Sequence, residues 1–576
     1  MSVRDFRIAM AQLNLAVGDL QGNTRKIVDH IDRARSQGAD LVAFPELAIP
    51  GYPPEDLIFR SQFVRENREC LDEVVAASEG ICVVVGFIDS DAGDNYNAAA
   101  VAVDGRLAGI YHKIFLPTYG VFDEDRYFRT GEICPVFVVN GVLVGVNVCE
   151  DIWYADGPTT VQSAAGAEVI VNINGSPFHA GKRDEREKML SARAAENDVF
   201  VAYVNLVGGQ DELVFDGGSM AFDPTGALVG SADQFVERML VVDFDVSDDQ
   251  QSDLNPVVRD EKVEIIESVT HHVAEYEPKP ARSPISGQLV EYPGEEGEVY
   301  GALVLGTRDY VRKCGFEKVL VALSGGIDSS LVAAIAVDAL GSDNVVGVAM
   351  PSRFSSDGSV TDAVELADNL GIELWTLPIE TTFQALLDTL SPQFEGTEWG
   401  VAEENIQSRI RGNLIMALSN KFGAMVLTTG NKSEMATGYA TIYGDMSGGF
   451  AVIKDVPKVL CYRLAEHRNR QDDGEVIPST VIEKPPSAEL RPDQLDQDSL
   501  PDYEILDPIL KAYVEDDIGF DEIVGMGFDV DTVKQVVSLV DRSEYKRRQA
   551  APGIKITPRN FGRDRRMPIA NRFRPY

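Results

Sequence analysis

The chain predicts an α/β fold in at least two parts, the second a doubly wound parallel sheet. Three observations carry this. Its 576 residues exceed what one hydrophobic core organises, so two or three domains are expected. Short β-rich apolar runs alternate with polar amphipathic runs over residues 4–245 and again from 319 onward, the pattern of sheets covered by helices. From 245 to about 297 the texture turns rich in Pro, Ser and acid (VSDDQQSDLNP, EYEPKPARSPISG, EYPGEEGE). This divides the chain into 1–245, an ordered crossover at 246–296 with one amphipathic-looking piece (VEIIESVTHHVAEY), and 297–576.

In the first part FRIAMAQL reads as a strand, NTRKIVDHIDRARSQGAD as a helix and LVAFPE as a strand. ICVVVGF, NAAAVAV, VLVGVNVC, VIVNING and VFVAYVNL follow as strands, with helical KRDEREKMLSARAAEND between the last two. Three strand ends carry chemistry: Glu46 in LVAFPE, Lys113 in GIYHK and Cys149 in VGVNVCED. Singly these are a solvated strand end, a surface charge and a small core residue. Together, in that order and in FPE, HK and CED settings, they resemble the nitrilase superfamily, whose α-β-β-α sandwich hydrolyses amides or nitriles through a thioester. The chemistry needs these types. A thiol of ordinary pKa ~8.5 is mostly protonated at neutral pH, so a base or cation must favour the thiolate. Glu46 would take the proton of Cys149 and return it to the leaving amine, while Lys113 would stabilise carboxylate and oxyanion. The resemblance aligns Glu124, in FDEDRYF, with a second glutamate that orients the lysine. It also puts Tyr119, Ser176 and Phe178 (the last two in NGSPF) where related glutaminase domains hold substrate.

The second part centres on VLVALSGGIDSSLVAAIAV, residues 319–337. An apolar strand feeds a helix through Ser324-Gly325-Gly326, aiming backbone N–H groups and the helix dipole at one point, a geometry that binds phosphate. No GK[ST] follows, so it is not a Walker A loop. It resembles the loop of the N-type ATP pyrophosphatases, which split ATP into AMP and pyrophosphate while forming an acyl adenylate. Helical GEVYGALVLGTRDYVRKCG precedes it. Strands NVVGVAMPS, IELWTLPI and AMVLTTGN follow, with helical runs such as SSDGSVTDAVELADNLG between them, so ligands are expected beyond the carboxyl ends of the strands, where MPSRFSS and TTGNKSE lie. Asn405 and Arg409 share a helix face at i, i+4 in VAEENIQSRIRGNLIMALSN.

Net charge is −40, from 52 basic and 92 acidic residues, which argues against general nucleic-acid or anionic-membrane binding. Residues 542–574 reverse this with eleven Lys or Arg against two acids, expected as a phosphate-facing wall, with a solvated tail as the alternative. Six cysteines without CxxC spacing and six scattered histidines predict reduced thiols and no zinc site. No apolar run reaches membrane-span length and MSVRDFRIAM lacks a signal peptide's apolar centre, so a cytoplasmic protein is expected.

SGGIDSS, MPSRFSS, ENIQSRIR, TTGNKSE, GDMSGGFAVIKDVPK, KPPSAELRP, DSLPDYEILD and RNFGRDRR together resemble the glutamine-dependent NAD synthetase family end to end, without significant departure from its pattern. The resemblance implies a nitrilase-like glutaminase fused to a Rossmann-like ATP pyrophosphatase domain. Nicotinic acid adenine dinucleotide would be adenylated by ATP on its carboxylate, and ammonia from glutamine would displace AMP to give NAD. ATP contacts are expected at Ser324, Gly325, Gly326, Asp328, Ser329, Ser330, Met350, Thr429 and Lys458. Dinucleotide contacts are expected at Asn405, Arg409, Asn431, Glu434, Lys546 and Arg563. Mg²⁺ is expected on Asp328 and Glu434, since it takes oxygen ligands from one or two carboxylates plus phosphates. The stretch KPPSAELRPDQLDQDSLPDYE has the look of a loop that closes over the site. A homo-oligomer with an ammonia channel is expected, with no nucleic-acid or membrane partner. Two alternatives stand: another glutamine-fed N-type pyrophosphatase acting on a different acid, and an amidase carrying a regulatory nucleotide-binding domain.

Overall fold

The computed structural model describes residues 3–247, 267–272, 282–285, 287–471, 474–492 and 494–576. They form two compact units, Met1–Gln210 with Val214–Tyr292 and Asp211–Leu213 with Pro293–Tyr576.

The first unit is an α-β-β-α sandwich. One sheet has six strands in the spatial order Arg238–Ser247, Val3–Gln12, Leu41–Ala43, Cys82–Asp91, Asp94–Val103 and Arg106–His112. The other has seven: Leu228–Ser231, Met220–Phe222, Phe200–Asn205, Val169–Asn174, Val142–Val148, Ile133–Val139 and Glu267–His272. Side chains alternate across a strand. Phe6, Ile8 and Met10 of the first sheet thus meet Val144, Val146 and Val148 of the second in one buried cluster. The opposite face of the second sheet, with Ile170, Val201 and Tyr203, packs on Leu190 and Ala194 of helix Lys182–Asn197. Helices Leu20–Ser36 and Ser61–Ala76 pack on each other and cover the first sheet.

The amphipathic-looking piece of the expected crossover supplies an edge strand, Glu267–His272, parallel to Ile133–Val139. Its partner lies more than a hundred residues away, so local pattern does not reveal the pairing. Residues 248–266, 273–281 and 286 of that crossover lie outside the described residues. The helix expected from 297 begins at Gly294.

The second unit holds a five-stranded, all-parallel sheet in the order Glu373–Thr376, Val345–Ala349, Val319–Ala322, Met425–Thr428 and Phe450–Ala451. Chain order reverses at the central strand, which makes the crevice beyond its carboxyl end the expected ligand position. A separate helical cluster packs Leu506, Ile509 and Leu510 against Val533, Val536, Val537 and Val540. The last four follow the i, i+3, i+4, i+7 rule along helix Val530–Arg542, which Asp529 caps by accepting from Thr532 N–H at 2.9 Å.

One glycine fixes where Glu46 can sit. A Cβ on Gly86, in strand Cys82–Asp91, would lie 2.3 Å from Leu47 N and 2.4 Å from Pro45 O. Only a bare Cα lets the Pro45-Glu46-Leu47 backbone cross this strand. Gly86→Ala is therefore expected to destabilise the first unit by about 1–3 kcal/mol through overpacking against backbone that cannot give way. Calorimetric unfolding checks this; an unchanged midpoint would contradict the close approach.

Candidate active sites

Three strand ends of the first unit converge on a buried cluster. Leu41–Ala43 leads to Glu46, Arg106–His112 to Lys113 and Val142–Val148 to Cys149. The Lys113 ammonium, fully buried, lies 2.8 Å from Glu46 Oε1 and 2.9 Å from Glu124 Oε1. Asn97 Nδ2 donates to Glu46 Oε1 at 2.7 Å and to Glu124 Oε2 at 3.5 Å, and Gly175 N–H donates to Glu46 Oε2 at 2.8 Å. Burial alone would favour the neutral amine, but Glu124 and Glu46 hold Lys113 well above the usual lysine range. Burial pushes Glu124 up to about 7; Lys113 pulls it down and Glu46 adds to the rise.

Cys149 opens the short turn Cys149–Ile152 with φ +48°, left-handed backbone that a non-glycine residue rarely adopts. Burial pushes its thiol well above the ordinary value, Glu46 adds to this and Lys113 opposes it. The resting group is the thiol, and a proton acceptor is needed to make it a nucleophile. Glu46, held by Lys113, Asn97 and Gly175, is among the charged groups that act on the thiol.

Of the residues expected to hold substrate, Tyr119 is exposed and its hydroxyl donates to the Glu150 carboxylate at 3.0 Å. Ser176 and Phe178 are buried in the turn that also presents Gly175 N–H to Glu46. Ser176 N–H bonds Asn205 Oδ1 at 3.0 Å, and the Phe178 ring meets Phe235 edge-on at 5.5 Å.

In the second unit, Ser324-Gly325-Gly326 joins strand Val319–Ala322 to helix Ile327–Leu340. Gly325 has φ +75°, and a Cβ there would lie 2.2 Å from Ser359 O, so no other residue fits. Beyond the strand end is a cavity of about 310 Å³. Ser324, Gly325, Gly326, Asp328 and Ser329 line it from the loop, Met350 and Thr429 from neighbouring strand ends, and Glu434 and Lys458 from two further helices. Lys458 Nζ is 2.5 Å from Asp328 Oδ2 and 3.9 Å from Glu434 Oε1. Burial raises Glu434 well above the usual carboxylate range, with the Asp328 charge adding to it. Against burial, the same two carboxylates hold Lys458 above the usual lysine range.

Asp328 Oδ1 is buried with no hydrogen-bond partner. An unsatisfied carboxylate oxygen beside a second carboxylate fits an oxygen-seeking divalent cation that also binds substrate phosphates. Among the described residues no group of three or more His, Cys, Asp or Glu is arranged to hold a metal by itself.

Ser330, Asn405, Arg409, Asn431, Lys546 and Arg563 are not among the residues lining this cavity. Ser330 Oγ turns back to Gly326 O at 2.9 Å, and Asn431 caps helix Lys432–Thr437 by accepting from Glu434 N–H. Asn405, Arg409 and Lys546 converge on one segment. Asn405 Oδ1 accepts from Thr441 Oγ1 at 2.7 Å, Arg409 Nε donates to Ile442 O at 3.3 Å, and Lys546 Nζ donates to Gly438 O and Ala440 O at 2.7 and 2.9 Å. Tyr439 and Ala440 of that segment line the cavity. Arg563 is exposed.

The basic C-terminal segment touches the cavity through Ala550 and Ala551 rather than through its charges. Three of its cations are buried in ion pairs: Arg547 with Glu544 at 2.9 Å, Lys555 with Asp564 at 2.5 Å, and Arg565 with Glu544 at 3.8 Å. A buried cation requires a partner, and these are held inside the fold. The expectation of a basic wall missed the cations that do face the cavity. Arg411 donates to Met350 O at 2.9 Å, burial lowering it to about 10, and Lys484 Nζ bonds Ser359 Oγ at 2.9 Å and Gly325 O at 3.3 Å. Lys484 opens the KPPSAELRP stretch, whose proline-rich texture was its only sequence signal. Asn97 has none, because its partners are 51 and 27 residues away.

A carbon-nitrogen hydrolase family model matches residues 7–252 and an NAD synthase model matches residues 299–550. The glutamine-dependent NAD(+) synthetase of Thermotoga maritima is 49% identical over 577 residues, covering 99% of this chain and 100% of that one. That of Aquifex aeolicus is 48% identical, with 99% and 100% covered. The solved structure of the glutamine-dependent NAD+ synthetase from Acinetobacter baumannii, in complex with adenosine diphosphate, matches with a TM-score of 0.74 at 40% identity, over 99% of each chain. That from Cytophaga hutchinsonii shares the fold, with a TM-score of 0.80 at 22% identity over 99% of this chain and 98% of that one. With both matches in order along one chain and near-half identity over its full length, the chain belongs to the glutamine-dependent NAD(+) synthetase family.

Proposed function

We propose that this protein amidates nicotinic acid adenine dinucleotide to NAD with ATP, using ammonia that its own first domain releases from glutamine. The observation that carries the reading is one chain holding two separate catalytic clusters, a Cys-Lys-Glu set and a phosphate loop with two carboxylates and a lysine. The division of labour is a glutaminase at 1–245, a linker at 246–296 and a synthetase at 297–576.

In the glutaminase, Glu46 accepts the thiol proton as Cys149 attacks the side-chain amide, then returns it to departing ammonia. Positioned proton transfer of this kind contributes about 10²–10⁴ in rate. Lys113, oriented by Glu124, stabilises the tetrahedral oxyanion. Tyr119, Ser176 and Phe178 hold glutamine. Water then hydrolyses the thioester to glutamate.

In the synthetase, the dinucleotide's carboxylate attacks the α-phosphate of ATP, giving an acyl adenylate and pyrophosphate. Ammonia then displaces AMP. Ser324, Gly325, Gly326 and Ser329 bind the phosphates through N–H and hydroxyl groups, Ser330 supporting the loop through its bond to Gly326 O, with Lys458 offsetting the phosphate charge and Met350 and Thr429 bordering the nucleotide. Asp328 and Glu434 would hold Mg²⁺, which would supply charge neutralisation for the polyphosphate. Of the dinucleotide residues, Glu434 acts from the cavity wall, and Asn405, Arg409 and Lys546 act through the segment 438–442. Asn431 acts by capping the helix that presents Glu434, and Arg563 contacts the ligand from the exposed C-terminal segment. The reactive thiol and the use of ATP suit the cytoplasm, and a homo-oligomer completes the proposal. Among the described residues no helix is long and apolar enough to cross a membrane.

Cys149→Ala is expected to abolish glutamine-dependent NAD formation while free ammonia still supports it. Asp328→Ala is expected to lose pyrophosphate release with either nitrogen source. Product assays with both donors check the pair; equal loss of both activities in a folded Cys149→Ala protein would sink the division of labour.

The glutaminase carries a pH signature. Because Glu124 is raised, it is protonated below about 7 and charged above it. Its charge pairs with and orients the Lys113 ammonium that stabilises the oxyanion, so kcat/KM for glutamine should rise with pH through that value. Glu124→Gln should flatten the step and lower kcat/KM by at least about 10-fold; a variant profile that keeps the step would exclude Glu124 as its source.

Ammonia in neutral water is mostly ammonium, without a lone pair, and water reaching the adenylate wastes ATP. Enclosed, largely apolar transfer avoids both losses. Adding an excess of an ammonia-consuming enzyme to the glutamine reaction should therefore barely reduce NAD output, whereas collapse to near zero would mean release to bulk.

A further inference from the structure

Asp151 lies two residues beyond Cys149, takes no part in the chemistry above, and is fully buried. Its Oδ1 accepts from the N–H groups of Ile114 and Phe115, the two residues after Lys113, at 3.2 and 2.9 Å. Its Oδ2 accepts from Val148 N–H at 3.1 Å, just before Cys149, and from the Tyr111 hydroxyl at 2.7 Å, two residues ahead of Lys113. Tyr111 belongs to the last strand of the six-stranded sheet and Val148 to the seven-stranded sheet. One carboxylate thus bridges the two layers at the place where each delivers a reacting group.

We infer that Asp151 is a positioning residue for amide hydrolysis, setting the separation of Lys113 from Cys149 by tying both strand ends to one rigid group. The inference rests on the glutaminase reading of this site. Three physical points support it. A residue at φ +48° persists only where its surroundings over-determine the backbone, and the bond to Val148 N–H is such a constraint on the Cys149 turn. Four donors on one side chain demand an acceptor-only group with about four lone-pair sites, which among side chains means a carboxylate and not an amide. Lys113 is also gripped on both sides, at 111 and at 114–115, so its Cα cannot shift without breaking bonds to a buried anion. Burial pushes the Asp151 carboxyl up to about 6, with the Phe115 and Tyr111 bonds holding it down, so it remains an acceptor at neutral pH.

Asp151→Asn in the full chain tests this. The amide keeps one acceptor oxygen for Ile114 and Phe115 but turns an NH₂ toward both Val148 N–H and the Tyr111 hydroxyl. The hydroxyl can reverse and accept, whereas Val148 N–H can only donate, so the Cys149 side of the bridge is the one freed. Misplacement by about 1 Å costs on the order of 10²-fold, so kcat for glutamine hydrolysis should fall about 10- to 100-fold while KM stays within about twofold. Alkylation of Cys149 by iodoacetamide should slow and ammonia-dependent NAD formation should hold, with the melting midpoint lowered only by the cost of one unsatisfied buried N–H. Wild-type kcat, a change confined to KM, or parallel loss of ammonia-dependent activity and melting midpoint would each overturn the inference. If Asp151→Asn does not fold, Tyr111→Phe removes a single donor: a smaller fall in kcat at an unchanged midpoint supports the bridge, and an unchanged kcat overturns it. Cys149→Ala is run beside them; glutamine hydrolysis at the wild-type rate in that variant would overturn the glutaminase reading itself, a result distinct from failure of the Asp151 bridge.

Discussion

Taking an ammonium out of water costs several kcal/mol unless carboxylates meet it in the interior, and the first unit satisfies that demand for Lys113 with two of them. Everything near Cys149 follows from this arrangement. Glu46 must sit where Lys113 needs it, so the Pro45–Leu47 backbone crosses a strand where only Gly86 leaves room. Asn97 must saturate the carboxylates, and Gly175 must turn its N–H toward them. A thiol in such surroundings is disfavoured as an anion by burial and by Glu46, with Lys113 opposing them. Lys113, Glu46 and Glu124 each meet fixed partners in the folded chain, which is what electrostatic preorganisation requires.

The second unit repeats the motif of one lysine between two carboxylates with a different outcome. Lys458 lies against Asp328 and farther from Glu434, while Asp328 keeps an unsatisfied buried oxygen. The first cluster is closed on itself; the second has spare acceptor capacity facing a cavity. A closed set suits proton transfer to a small amide, and an open set suits polyphosphate arriving with its own cation. The same side-chain types thus support unlike chemistry because burial and hydrogen-bond saturation differ.

A net charge of −40 makes cations scarce, and the fold allots them with care. Arg547, Lys555 and Arg565 are committed to internal pairs that secure the C-terminal segment. Lys432 bonds Asp455 at 2.8 Å and Glu515 at 2.7 Å deep in the same unit. Those turned to the cavity, Lys458, Lys484 and Arg411, come from three separate stretches of the chain. Local concentration of positive charge here is a property of packing, not of any basic run.

By itself the sequence determined the α/β class, both sheets' main strands, the phosphate loop and the three strand ends that carry Glu46, Lys113 and Cys149. Each of these is written in short-range pattern: period-2 apolar runs, a Ser-Gly-Gly turn between strand and helix, polar residues just past a strand. Tertiary structure alone decided the rest. That Glu267–His272 is a sheet edge depends on a partner far along the chain. That Arg547, Lys555 and Arg565 of the basic tail are buried in ion pairs with Glu544 and Asp564 depends on how that segment packs. That Asp151 bridges two layers, and that Asn97 serves two carboxylates, depends on bonds spanning 3 to 51 residues. Hydrogen bonds satisfy whatever donors the closed fold leaves buried, and sequence spacing holds no record of which those are.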